Sequence, residues 1–98
     1  MSFRPGEDAQ PFTRESVYDH APRGSGVYII NSLQTCLYVG ESHDIQMRLL
    51  EHLADTNGCL MRSMPFSFSF ELNDGAQRFA RQQELATQLQ PLCNEATS

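Results

Sequence analysis

"GVYIINSLQTCLYVGES", residues 26–42, decides how this chain is read. Gly26-Val27-Tyr28 opens the stretch and Tyr38-Val39-Gly40 nearly closes it, so each end carries a tyrosine within two residues of a glycine. β-Branched and aromatic residues crowd both ends, and Asn31-Ser32-Leu33-Gln34 between them has turn chemistry. This predicts an antiparallel pair over residues 26–30 and 35–39, with Gly40 breaking the second strand. The pairing would bring both tyrosines to neighbouring strands beside glycines.

Downstream, Ser42 can cap a helix over about 43–54, with Asp44 in its first turn, where the helix dipole favours an anion. Residues 58–65 form a poorly patterned connection containing Pro65. "FSFSFEL", residues 66–72, alternates apolar and polar and predicts a strand with Phe66, Phe68, Phe70 and Leu72 on one face. A last helix spans about 75–90 and is stopped by Pro91. Upstream, Thr13 caps a short helix ending at His20, and residues 1–12, with Pro5, Gly6 and Pro11, predict a flexible arm. The order helix, hairpin, helix, strand, helix predicts an α+β fold: a small, mostly antiparallel three-stranded sheet flanked by helices, in a single domain over residues 13–98.

Composition narrows the function classes. The 98 residues suffice for one modest core, and 40% hydrophobic residues is a globular share. No apolar run approaches the ~20 residues of a membrane helix, and the first residues lack the pattern of a signal peptide. Cys36, Cys59 and Cys93 are odd in number and widely spaced, which predicts reduced thiols in a cytoplasmic protein. The chain carries 7 Lys+Arg, all arginine, against 12 Asp+Glu, a net charge of -5. Affinity for nucleic acid comes largely from neutralising phosphates, so this balance predicts weak binding by the isolated chain, although a local basic patch is compatible with it.

Two helices carry polar residues on their apolar faces. At about 100° per residue, Ile45, Leu49 and Leu53 make one stripe, and Arg48 and His52 fall beside Ile45. Arg48 there either packs its stem and reaches water, or points into a cleft and holds a phosphate in its planar fork. His52 taken alone reads as a packing histidine. On the last helix Phe79, Ala86 and Leu89 make the stripe, and Gln82 lies inside it. Glu84 sits about 200° from Gln82, facing solvent.

Together these residues resemble the GIY-YIG nuclease domain family: "GVY", then "YVG", then the helix with Arg48 and His52 in register, then "LQPLCN" at the end. The similarity runs from about Pro22 to Asn94. It implies a phosphodiester-cutting endonuclease whose catalytic residues are Tyr28, Tyr38, Arg48, His52 and Asn94. Both tyrosines would face the scissile phosphate, one of them as general base, with Arg48 stabilising phenolate and phosphate. Asn94 would brace the site. The resemblance further implies magnesium or another divalent cofactor held by a glutamate of the last helix, and nucleic acid, most readily DNA, as partner. Counting back from Pro91, that glutamate falls on Gln82, a neutral and weak metal ligand. Glu41 is a carboxylate near the mouth of the site, and the lysine that several repair-type members place near the tyrosines is missing. Three readings stay open: a metal-dependent endonuclease; a module that keeps the fold without the chemistry and binds nucleic acid or a protein partner; or a cleft that binds another phosphate or anion through Arg48.

Overall fold

The tyrosine-bearing stretch supplies one inner strand and one edge strand of a four-stranded sheet in the computed structural model, which describes residues 9–94. The elements run β1 (Gln10–Pro11), α1 (Arg14–His20), β2 (Gly26–Asn31), β3 (Cys36–Ser42), α2 (Ile45–Ala54), α3 (Cys59–Arg62), β4 (Ser67–Leu72) and α4 (Gly75–Leu89). The strand order is β1-β4-β2-β3 and every pairing is antiparallel. The α+β class is as predicted, with one strand more. Of the expected arm, residues 1–8 lie outside the described residues, while Gln10 and Pro11 pair with Phe68 and Ser67, and Phe12 is buried. A proline fits there because an edge strand has free positions that need no N–H.

β3 departs from the expectation in two ways. It continues through Gly40 to Ser42, because Tyr28 pairs with Gly40 and Gly26 with Ser42. It also carries a bulge, since Ile30 faces Tyr38 but Asn31 faces Cys36, leaving Leu37 as the extra residue. The bulge lets Leu37 and Tyr38, neighbours in sequence, both pack against the same apolar cluster. Gly40 is required by packing: a Cβ there would overlap the ring and hydroxyl of Tyr28 and the ring of Tyr38.

The helices also shift slightly. Asp44, not Ser42, is the N-cap of α2, its carboxylate accepting from Met47 N at 3.0 Å. Ser42 instead accepts from Asp44 N and donates to Asp44 O, both at 3.0 Å, holding the cap residue extended. Within the expected irregular connection, residues 59–62 form α3, with Leu60 buried. Thr13 caps α1 as predicted, accepting from Ser16 N.

Both faces of β2 are covered, which is why Val27, Tyr28, Ile29 and Ile30 are all buried. Tyr28, Ile30 and Phe68 meet Val17 of α1, Ile45 and Leu49 of α2 and Leu60 of α3 on one face. Val27, Ile29 and Val39 meet Leu85 of α4 on the other, with Ala86 and Leu89 alongside. Each such buried side chain contributes about 1.5–3 kcal/mol of transfer free energy. Phe68 is buried and Phe70 half-buried, but Phe66 and Leu72 are exposed at the strand's ends. Phe79 is exposed too, so the buried stripe of α4 is centred on Leu85, about 120° away from it.

Cys59 and Cys93 form a disulfide, with Cα atoms 5.7 Å apart, and only Cys36 is a free thiol. The expectation of three reduced thiols is therefore corrected. The partners lie 34 residues apart, and only the return of the chain after α4 brings them together.

Candidate active site

Pairing of β2 with β3 places Tyr28 opposite Gly40 and Tyr38 opposite Ile30, so both tyrosines project from the same face. Their rings stack diagonally, centroids 6.0 Å apart and planes 20° from parallel. Gly40 leaves the gap that this stacking needs. Above them α2 presents His52, whose ring meets Tyr38 edge-on at 4.7 Å and whose Nε2 lies 2.8 Å from the Tyr28 hydroxyl. Arg48, one turn earlier, is bound to Glu51 at 2.8 Å, and its charge acts on both tyrosines. The structure thus brings together Tyr28, Tyr38, Arg48 and His52. A cavity of about 340 Å³ opens over them, walled by Tyr38, Arg48, Glu51, His52, Asp55 and Cys59. Tyr28 is only 1% exposed and lies behind His52, so three of the four side chains face the opening. A larger hollow of about 650 Å³ at the hairpin tip has no charged side chain and none of these residues.

Burial sets the proton positions. It pushes the Tyr28 phenol well above its ordinary range, with the Tyr38 phenol adding and Arg48 partly opposing. Burial also pushes His52 down to about 4, and the Arg48 charge lowers it further. Near neutral pH the pair is therefore a phenol and a neutral imidazole, a combination satisfied when Tyr28 donates to His52 Nε2. Arg48 stays charged, its hydrogen bond to Glu51 raising it further.

Asn94 acts at the outer edge of β3. Its Oδ1 accepts from Val39 N at 2.9 Å and its Nδ2 donates to Val39 O at 2.8 Å. Just before it, Leu92 N donates to Cys36 O and Cys93 N to Leu37 O. The chain end therefore closes the open edge of the sheet, and the Asn94 amide completes the ladder as a strand backbone would. Gln82 reaches the same carbonyl from α4, Nε2 donating to Val39 O at 3.1 Å. Sequence reasoning placed Gln82 on the inner face of α4, and the structure agrees. Glu84 faces outward, paired with Arg81.

These groups do not fit a magnesium ion. A carboxylate cannot donate to a carbonyl, whereas Gln82 does; its own oxygen is a single neutral ligand, and magnesium is usually held through carboxylates. Glu41 is paired with Arg78, which also donates to Ser25 Oγ at 2.9 Å. Among the described residues no three His, Cys, Asp or Glu side chains are grouped to hold a metal. Sequence reasoning missed the cavity wall formed by Asp55 and Cys59, and missed Glu51. For Glu51 a signal existed, since it stands three residues after Arg48 on one helix. For Cys59 there was none.

A small antiparallel sheet with paired tyrosines over one cavity, and a helix bringing an arginine and a histidine to them, is the framework of a phosphodiester-directed nuclease fold. The family model for the GIY-YIG catalytic domain matches residues 24–88, and the chain belongs to this family. Among solved structures it is similar to the GIY-YIG N-terminal endonuclease domain of UvrC from Thermotoga maritima. A point-mutant form bound to its catalytic divalent cation superposes with a TM-score of 0.70 at 18% identity, covering 84% of this chain and 99% of that one. The form bound to magnesium gives 0.66 at 19% identity, with the same coverage. No curated protein matches the sequence. No helix among the described residues is long and apolar enough to cross a membrane.

Proposed function

We propose that this domain binds a phosphodiester of nucleic acid, most readily DNA, in the cavity of Tyr38, Arg48 and His52, and that metal-dependent cleavage is lost or vestigial. The observation that carries this reading is the Gln82 amide donating to Val39 O where the family's metal-binding glutamate is expected. Arg48 supplies the cation for the phosphate, His52 and Tyr38 frame it, Tyr28 orients His52, and Asn94 braces β3. The acidic charge of the whole chain keeps affinity weak in isolation, at or beyond the ~10⁻⁴–10⁻⁶ M of non-specific binding at physiological salt. The domain acts as one unit that includes Gln10–Phe12 along with the residues from 13 onward.

A second reading is a metal-dependent endonuclease, favoured by the assembled cluster of Tyr28, Tyr38, Arg48 and His52. The two separate in one titration. Fluorescence anisotropy with a short labelled DNA duplex, in magnesium and then in EDTA, should give the same weak affinity in both. Arg48→Ala should weaken it at least ~tenfold, the loss of one charge-assisted phosphate contact. Binding that disappears in EDTA, or nicking that exceeds a Tyr38→Phe control, favours the endonuclease. Nanomolar binding at physiological salt would overturn the expectation of a weak isolated domain.

A further inference from the structure

The Cys59–Cys93 disulfide joins two parts that matter to the cavity. Cys59 opens α3 and stands in the cavity wall beside Arg48 and His52. Cys93 precedes Asn94 and is fully buried. Around it, Cys93 N holds Leu37 O at 2.7 Å, and Asn94 holds both polar groups of the Val39 backbone. Val39 directly follows Tyr38, so the disulfide ties the cavity's wall to the segment that closes the edge of β3 behind the tyrosine.

We propose that this disulfide is a redox-set strut, and that its reduction loosens Asn94 from Val39 and with it the seat of Tyr38. Cys59 is half-buried while Cys93 is fully buried, so an external thiolate reaches the Cys59 sulfur from the cavity side. Attack there forms a mixed disulfide on Cys59 and expels Cys93 as thiolate, which takes up a proton. Ser63 Oγ lies 3.7 Å from Cys93 Sγ and 3.9 Å from Cys59 Sγ, within reach of the leaving sulfur. The second thiol of a dithiol reductant then resolves the mixed disulfide. The balance is one protein disulfide and one dithiol giving two protein thiols and one oxidised dithiol. The oxidised form leaves only Cys36 free, and burial pushes that thiol up to about 11, which keeps it a poor nucleophile for reshuffling the bridge. Control of phosphodiester binding by this bridge rests on the function proposed above; control of the β3 edge does not.

The test follows the Val39 amide by NMR hydrogen exchange in the full chain, oxidised and then reduced with dithiothreitol. Alkylation and mass measurement give the state, with one thiol modified in the oxidised form and three in the reduced. Expected is exchange at Val39 at least ~tenfold faster on reduction, restored by reoxidation. Tyr28 in the sheet centre should change far less. Cys59→Ser should match the reduced form and stop responding to dithiothreitol. Anisotropy with the labelled duplex should then show weaker binding in the reduced form. Three modified thiols without any reductant, or a Val39 amide indifferent to reduction, overturns the proposal. Should the duplex bind neither form, the phosphodiester reading fails, and the Val39 exchange still decides the strut.

Discussion

Tyr38 and Val39 are adjacent in β3, yet the groups gathered around them differ in kind. On the face where Tyr38 projects, Tyr28, His52 and Arg48 form an ordered cluster whose proton positions are set by burial and one cation. At the outer edge, where Val39 presents its backbone, two neutral amides converge on one carbonyl. The first assembly retains groups suited to a phosphate. In the second, neutral amides take up both the N–H and the C=O of Val39. A carbonyl with two lone pairs accepts both donors, so exchanging a carboxylate for an amide at position 82 converts a place for a cation into a clamp between α4 and β3. An amide at position 82 is therefore compatible with a well-held β3 edge.

The strongest way to break this contrast is Gln82→Glu. It should raise magnesium-dependent nicking of DNA over the parent, with ~10²–10³ in rate as the usual scale for one transition-state contact. It should also lose the donor to Val39 O and about 1 kcal/mol of stability, read from the urea midpoint. A variant that binds metal and stays inert would mean that the Tyr38 side has also lost its chemistry.

Gly40→Ala probes the tyrosine side from below. The added methyl overlaps the Tyr28 ring, and the cost should be about 1–3 kcal/mol as for other overpacked sites. The Tyr28–His52 contact should be disturbed with it. Wild-type stability in this variant would contradict the close stacking.

His52 sharpens the electrostatic half. Its folded pKa of about 4 lies below the unfolded 6.5, so the unfolded chain binds the extra proton first as pH falls. Stability contributed by neutral His52 is thus complete above about pH 6.5 and declines towards pH 4, by at most ~1.4 kcal/mol per pH unit. Melting temperatures across that window should fall less steeply in His52→Gln. An NMR titration giving an ordinary histidine value would remove the buried phenol–imidazole pair.

The smallest effect is expected from Glu84→Gln. Glu84 is exposed, and Arg81 keeps Glu71 at 2.9 Å, so the change should stay within ~0.5 kcal/mol and leave DNA binding and nicking unaltered. A large loss would show that α4 sits in a different register over β3.

Much of this arrangement could be read in the residue order because it follows from short periods. The β-branched and aromatic run of β2, the period of two in β4 and the near-3.6 period of α2 carry the strands, the helix and the shared location of Arg48 with His52. The inward direction of Gln82 has the same origin. The centre of the α4 stripe did not, since Phe79 is as apolar as Leu85; which of them is buried depends on where the sheet ends beneath the helix. The bulge at Leu37 was equally hidden, because an extra residue alters pairing without altering composition.

Sequence alone determined the hairpin with its turn, the Thr13 cap of α1 and the absence of a carboxylate at position 82, all set by residues a few positions apart. Only the tertiary structure decided that Tyr28 meets His52, that Gln82 and Asn94 share one carbonyl, and that Cys59 meets Cys93. These contacts join residues 24, 43, 55 and 34 positions apart, and local preference says nothing of such pairs until the sheet and helices have closed around a common core.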